Sequence, residues 1–583
     1  MNRLILLLAV IECSGLSGFP ISTQPAAAIG SGKTINEELL SAGLRPLLIY
    51  DDWGIKGAPD NYGIAPFAFR LSTNGLLDSD PLYSNLPVTW IINRKDVICP
   101  EADCEHLAIE AAAFDTAVSL SSDFGYLRGD WGFLDFSLQL EGTTAKTGSW
   151  RLQAENLGYD GQYGYYGPQR SRVGESISQV YRLDMQRQLT NWTILPAVRY
   201  RKANLGIVRP ASFFIDSQTG ETVPSLIYGG RQKTTNLQAG LVARQITRHG
   251  DVAFGFQLDG YQYRNSPASA ATYLEGEALQ QQAFGTIPLE VMRIGLRIEG
   301  QMIRRVVHLR YQPALIRERF SGIVHWPLSG ANRWQLAVGI RNNGLFADLR
   351  CNHQLSPRWQ IDLRFKNESL DYPLIYYTVP DRQTDLTARS FVHQRASVGI
   401  AFQSHSFQSV LRAQAIHSNQ LWPMMSGYPD TLLAFKPLSG LPLYLEHLFC
   451  WTTGWQTRIL GYSRFGLNPG QNYWPMFSGA VQATQAIELF DGNLLGYFTG
   501  QLLYSFGARH QIWLEELRSI VYSDEIYYTG QRLDLSFRVG CRIGDLHLFY
   551  AVYNPENRPF TTIGLMPVRH ILTLLGIEWS FLD

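Results

Sequence analysis

The sequence predicts an all-β fold: a large transmembrane antiparallel β-barrel of about 22 strands, in a range of about 18 to 24, with a small N-terminal plug-like element. Three observations predict it. Many segments alternate apolar and polar residues with a period of two, the signature of a strand with one face in oil and one in water. Short turns alternate with long polar connections, the asymmetry expected of a bacterial barrel. The chain ends in a strand-like stretch that carries a terminal aromatic pair.

The alternation is clearest in five segments. In Tyr181-Arg182-Leu183-Asp184-Met185-Gln186 the odd positions are apolar. Val252 to Asp259 follows the same rule, and Met292-Arg293-Ile294-Gly295-Leu296-Arg297-Ile298-Glu299 sets charge against Met292, Ile294, Leu296 and Ile298. Trp359-Gln360-Ile361-Asp362-Leu363-Arg364-Phe365-Lys366 alternates without a fault, as does Arg532-Leu533-Asp534-Leu535-Ser536-Phe537-Arg538-Val539. Successive strand residues point to opposite faces, so Arg293, Arg297, Glu299, Asp362, Arg364, Arg532, Asp534 and Arg538 are the candidates to line a lumen.

Turns are expected at Leu189-Thr190-Asn191, Thr247-Arg248-His249-Gly250, Leu355-Ser356-Pro357, Ser404-His405-Ser406 and Asp491-Gly492. Long connections are expected near 158–175, 206–232, 264–284, 367–388 and 420–440, where Gly, Tyr, Pro and polar residues collect. Residues 505–527 give no clear assignment. At the end of the chain Ile571, Leu575, Ile577, Trp579 and Phe581 share one side, with Thr573 the single polar gap. Ile577, Trp579 and Phe581 mark the strand expected to close the barrel against the first one, because lipid offers no partner to an open sheet edge.

The N-terminal part divides differently. Residues 1–28 read as an export signal: Arg3, then the apolar run Leu4 to Ile11, then Ala26-Ala27-Ala28 for cleavage. Residues 29–45 read as a linker, 46–115 as a small plug-like element with a helix over Glu105 to Phe114, and 116–583 as the barrel. Glu12 before Cys13 is not the small residue a lipid anchor needs. Cys99 and Cys104 fit a disulfide loop in an oxidising compartment, with a metal site the weaker alternative because only His106 is close by.

Composition removes other classes. Apolar residues make up 45 % and charged residues 17 % of the 583, and the mean hydropathy is -0.11. Beyond the first residues no run of about 18 apolar residues occurs, which excludes spanning helices. Aromatics reach 12 %, enough to furnish girdles at two membrane interfaces. The formal net charge is zero, so there is no electrostatic case for nucleic acid. The cations are eight Lys and 42 Arg, and Arg binds carboxylates and phosphates in a fork. No phosphate loop, zinc pattern or nucleotide fingerprint is present, so no cofactor, metal or catalytic residue is assigned. His417-Ser418-Asn419 is the nearest approach to a hydrolytic cluster, and adjacent strand residues face opposite ways. The loop Tyr159 to Tyr166 offers rings to a sugar or aromatic ligand, or serves as rim.

The ending Trp579-Ser580-Phe581-Leu582-Asp583, after Tyr553-Asn554-Pro555-Glu556-Asn557 and Met566-Pro567, resembles the final hairpin of TonB-dependent receptor barrels and their porin-like relatives. Asn74-Gly75-Leu76-Leu77-Asp78-Ser79-Asp80-Pro81-Leu82, followed by Ile91 and Val97-Ile98, resembles the end of their plug domain. That resemblance implies the outer membrane of a Gram-negative bacterium, and outer-membrane lipid, the barrel-assembly machinery and TonB as partners. The sequence departs from the family in three ways. Leu582 and Asp583 follow the last aromatic. Residues 46–115 are shorter than a full plug. Lys33-Thr34-Ile35-Asn36-Glu37 matches the energy-coupling box poorly. The reading is a channel or receptor that passes or takes up a small solute. The alternatives are a divergent TonB-dependent receptor with a reduced plug, and a surface-binding or structural barrel that transports nothing.

Overall fold

The computed structural model describes most of residues 120–581, omitting parts of the connections, together with a small hairpin of Ile49–Asp51 on Gly54–Lys56. The signal, the linker, most of the 46–115 element, the expected helix at 105–114 and the Cys99–Cys104 pair lie outside the described residues.

Twenty-two antiparallel strands form one closed sheet. The first five are β1 (Leu120–Gly129), β2 (Leu134–Thr144), β3 (Gly148–Tyr159), β4 (Ser176–Leu189) and β5 (Trp192–Ile215). There follow β6 (Thr222–Thr247), β7 (Gly250–Pro267), β8 (Leu274–Val291), β9 (Ile294–Leu309), β10 (Leu315–Leu328) and β11 (Asn332–Arg341). Next come β12 (Gly344–Ser356), β13 (Trp359–Leu370), β14 (Phe391–Gln403), β15 (Phe407–Met425), β16 (Leu433–Cys450) and β17 (Trp455–Gly466). The ring ends with β18 (Phe477–Leu489), β19 (Leu494–Phe506), β20 (Arg532–Ile543), β21 (Leu546–Tyr553) and β22 (Leu572–Phe581). Each strand pairs with the next, and β22 pairs with β1 from Ser122↔Phe581 to Gly129↔Leu574. The count lies in the expected range, and Ile577, Trp579 and Phe581 stand opposite Tyr126, Phe124 and Ser122 of β1.

The polarity of this sheet is inverted relative to a soluble protein. Leu237, Leu241, Phe254, Phe256, Ile287, Leu363, Phe365, Phe498, Leu535 and Trp579 are exposed, while Asp184, Gln238, Gln257, Asp259, Gln280, Glu299, Asp348 and Gln501 are buried. Within each strand these two sets alternate, so the apolar set faces outward and the polar set inward. Exposed apolar area on this scale marks a lipid-facing surface. A closed sheet is also a form in which every backbone group inside lipid finds a partner.

The two ends of the barrel differ. One end, with the final residues of β22, carries turns of two to four residues, such as Thr190-Asn191 between β4 and β5 and Gly544-Asp545 between β20 and β21. The other end carries most of the long connections. Several of those are shorter than expected because the strands run on above the membrane. β5 and β6 have 24 and 26 residues and occupy most of 206–232, with bulges at Ser225/Leu226 and Tyr228/Gly230. β7 reaches Pro267, β8 begins at Leu274, and β15 and β16 take both ends of 420–440. The unassigned stretch 505–527 holds a hairpin of Gln511–Leu514 on Ser519–Ser523, whose second strand pairs parallel with Met424 and Met425 of β15.

One outer connection is tight. Asn342 and Asn343, both with positive φ (49° and 63°), turn β11 into β12, the conformation a two-residue hairpin needs. The turn is tied to both neighbours. The Asn343 N–H donates to the Phe320 carbonyl at 3.2 Å, and Asn342 Nδ2 donates to the Ser369 carbonyl at 3.0 Å. Elsewhere large rings lie flat over glycines of the adjacent strand. Phe284 covers Gly255 and Phe549 covers Gly576 so closely that a Cβ at either glycine would overlap the ring. This packing pins the register of those pairs.

Candidate functional site

The inner wall is the candidate site, and it has two chemistries. On β6 to β9 it is an amide and charge belt. Gln238 on β6 stands opposite Asp259 on β7, Asp259 opposite Gln280 on β8, and Gln280 opposite Arg305 on β9. Gln257 Nε2 donates to both Asp259 oxygens at 3.1 and 2.9 Å, Gln280 Nε2 to Asp259 Oδ2 at 3.4 Å, and Arg305 Nε to Gln280 Oε1 at 2.7 Å. All four residues are buried. Gln282 is also fully buried, yet neither of its amide atoms has a hydrogen-bond partner. The belt continues through β4 to β2. Arg182 pairs with Asp184, Arg151 with Glu141, and Gln153 donates to Gln139 at 2.5 Å.

On β9 to β13 the wall is a chain of carboxylates held by basic side chains. His325 contacts Glu299 at 3.0 Å. Arg364 grips Asp348 through two bonds of 3.0 and 2.8 Å, the fork geometry that makes Arg–carboxylate pairs strong. Arg350 reaches the same Asp348 at 3.1 Å. Arg341 and Lys366 share Glu368 at 3.3 and 2.9 Å, and Arg341 lies 4.3 Å over the Phe346 ring.

On β19 to β22 the wall is aromatic. Tyr497 shares a 2.6 Å hydrogen bond with His547 Nε2, and His547 Nδ1 lies 3.0 Å from Glu578. A carboxylate only accepts, so Nδ1 carries a proton and donates it to Glu578. The Phe549 ring lies 5.1 Å from the His547 ring at a 33° tilt and takes the Arg538 guanidinium over its face at 4.3 Å. Leu127, Ala486 and Leu495 complete this apolar patch. The neighbouring β22–β1 seam is stitched by side chains as well as backbone. Asp130 Oδ2 accepts from the Thr573 N–H at 2.8 Å and the Thr573 hydroxyl at 2.6 Å, Ser580 donates to Asp123 at 2.6 Å, and Ser122 donates to the Phe581 carbonyl.

The residues singled out from sequence fall into these zones unevenly. Glu299, Arg364 and Arg538 are buried on the polar face, partnered by His325, Asp348 and the Phe549 ring. Arg297 is half-buried and its Nε has no hydrogen-bond partner. Asp362 is half-buried opposite Asn352 and Gly399. Arg532 and Asp534 lie on β20, with their side chains outside the described set, and Arg293 is outside it altogether. His417 is an exposed strand residue opposite Gln394. Sequence reasoning passed over the glutamines. The signal for them was present, since Gln238, Gln257, Gln280 and Gln282 recur at inward positions of three consecutive strands.

No family model and no curated protein matches the chain. Solved structures do. A mutant of the ferric enterobactin receptor PfeA from Pseudomonas aeruginosa, in complex with enterobactin, aligns with a TM-score of 0.59 at 9 % identity, over 80 % of this chain and 82 % of that one. The fold is that of the TonB-dependent receptor barrels. The ferripyoverdine receptor of the outer membrane of Pseudomonas aeruginosa, bound to ferripyoverdine, aligns at 0.56 and 11 % identity, over 80 % of this chain and 72 % of that one. The ferric yersiniabactin uptake receptor FyuA from Yersinia pestis aligns at 0.56 and 10 %, over 80 % of each. At these identities the likeness to TonB-dependent receptors is one of architecture, and the inner-wall residues must be argued from their own chemistry.

Proposed function

We propose that this chain is an outer-membrane barrel that takes up a small polar solute in the manner of a TonB-dependent receptor. The observation that carries the reading is the inverted polarity of a closed 22-strand sheet. A ring of that size encloses more volume than wall side chains fill, and barrels of 22 strands serve as plugged transporters. Hydroxyl, amide and carboxylate groups on a solute would find complementary partners along the amide belt and the ion-pair wall. Solved barrels of this fold include receptors named for ferric siderophores, which supports uptake from outside as the direction of traffic.

In this reading residues 46–115 narrow the periplasmic mouth, residues 1–28 are removed on export, and Cys99 and Cys104 form a disulfide. The barrel-assembly machinery inserts the chain, and TonB energises it. The test is conductance in a planar bilayer with and without residues 46–115. The full chain should conduct weakly and the deletion strongly. A purified, heat-modifiable barrel that stays closed after the deletion would overturn the solute pathway and leave a binding or structural role.

A further inference from the structure

The outer rim of the barrel is uneven. β5 and β6 run for 24 and 26 residues and stay paired up to Ile215↔Thr222. β15 and β16 run for 19 and 18 residues, up to Met425↔Leu433. Between these two tall walls, β11 has only 10 residues. At about 3.3 Å per residue and a tilt of ~40° it rises roughly 25 Å, the height of an outer-membrane apolar band. Its neighbours stop with it. β12 begins at Gly344, β13 ends at Leu370, and β14 begins opposite it at Phe391. The tops of β11 to β14 therefore form a saddle, level with the outer leaflet.

The saddle suits contact with lipid. Ile340 and Leu345, the last outward residues on either side of the turn, are apolar and 51 % and 78 % exposed. Phe320 of β10, beside them, is exposed as well. The turn also meets its own polar needs. Besides its ties to the Phe320 and Ser369 carbonyls, the Asn342 N–H donates to Ser321 Oγ and the Phe320 N–H to Asn343 Oδ1, both at 3.2 Å. A turn so satisfied can lie in a medium that offers no hydrogen bonds. On the inward side of the same rim stand Arg341, Lys366 and Glu368. The thickness of one strand separates the apolar face from the charged one.

The middle of the mouth is spanned. The hairpin of Gln511–Leu514 on Ser519–Ser523 pairs with the tip of β15, at Met424 and Met425. Its first strand also touches a second small hairpin, Thr561–Ile563 on Met566–Pro567, which in turn touches β6. β6 and β15 stand nine strands apart in the ring of 22, close to opposite sides. The two hairpins thus bridge one tall wall to the other, and the saddle lies on the arc between those walls, below the bridge.

We propose that the solute is an amphiphile carrying an acyl chain, which enters sideways from the outer leaflet over the β11–β14 saddle and beneath the bridge. Its chain stays against Phe320, Ile340 and Leu345 while its polar head crosses to the inner wall. The proposal rests on the uptake reading above and deepens it, naming a class of solute and a route.

The test uses the full chain in lipid nanodiscs, with radiolabelled N-lauroylglycine and N-acetylglycine as probes and empty discs as the blank. The two share a polar head and differ in the chain. The lauroyl probe should bind at least about tenfold tighter than the acetyl one. Leu345→Glu should weaken its binding about tenfold, because a charge replaces the apolar edge of the rim. A Thr/Lys-rich insertion between Asn342 and Asn343, which lifts the rim above the leaflet, should slow association to a similar extent. Should the insertion fail to fold, the exposed single change Leu345→Glu carries the same test. Joining Met424→Cys to Tyr522→Cys with dibromobimane fixes the bridge and should leave binding unchanged, since entry passes beneath it. Equal binding of the two probes, unchanged binding in the folded rim variants, or loss of binding on fixing the bridge would each overturn the lateral route. Conductance after deletion of residues 46–115 keeps the two claims apart: a barrel that opens yet treats both probes alike retains a solute pathway and loses the amphiphile.

Discussion

The inner walls of β6 to β9 and of β19 to β22 obey the same two-residue alternation and use it for opposite ends. The first presents Gln238, Gln257, Asp259, Gln280, Gln282 and Arg305, and leaves Gln282 without a partner. The second presents Tyr497, His547, Phe549 and Glu578, joined in one chain of hydrogen bonds and ring contacts. A wall of amides and charges suits contact with polar matter lodged inside. A ring seated over a glycine suits holding strands together where the barrel closes. The alternation of a strand therefore fixes which residues face inward, while the inward residue types decide whether a stretch of wall is a surface or a joint.

That contrast breaks most completely at the seam. Deleting residues 570–583 removes β22 and leaves the ladders of β21 and β1 unpaired. No heat-resistant, fast-migrating band should appear on a semi-native gel, because an open edge has no partner in lipid. A folded band of normal mobility would show that the ring does not depend on β22.

Single changes should separate the two walls by stability. Phe549→Ala removes the ring over Gly576 and the seat of Arg538, and should cost about 3–5 kcal/mol in a denaturant titration of the refolded barrel. His547→Leu takes from the buried Tyr497 hydroxyl its 2.6 Å hydrogen-bond partner, and should cost about 1–3 kcal/mol. Gln282→Leu should do the reverse. Its buried amide makes no hydrogen bond, so an apolar replacement of similar shape should be neutral or mildly stabilising. A large loss of stability from Gln282→Leu would mean that the amide belt is a joint too.

Much of the fold was legible because lipid enforces alternation. Trp359 to Lys366 and Arg532 to Val539 announce β13 and β20, and Thr190-Asn191 marks its turn. Above the membrane that pressure lifts. Pro224, Ser225, Gly229 and Gly230 sit within β6, where bulges absorb the irregularities. Such a stretch has loop composition and still pairs through its backbone. The site was less legible because its partners are remote in sequence. Nothing near Arg364 shows that Asp348 will neutralise it, and nothing near His547 shows Tyr497 fifty residues away. The glutamines carried no charge to draw notice.

The smallest effect expected is on ion selectivity, and it sharpens the comparison between a partnered and an unpartnered cation. Sequence alone makes Arg293, Arg297 and Arg364 equal candidates for an anion-preferring wall. Arg364 is held in a fork by a buried Asp348, so the pair presents little net charge to the lumen. Arg297 is only half-buried and its Nε is unbonded, so more of its field reaches the lumen. In a barrel opened by deletion of residues 46–115, Arg297→Gln should shift the reversal potential in a salt gradient towards cations. Arg364→Gln should shift it further than a neutral change would, because it leaves Asp348 with Arg350 alone, yet less than Arg297→Gln does. Charge on an inner wall acts through what its neighbours leave uncancelled, so equal shifts from the two substitutions would show that the Asp348 fork does not mute Arg364.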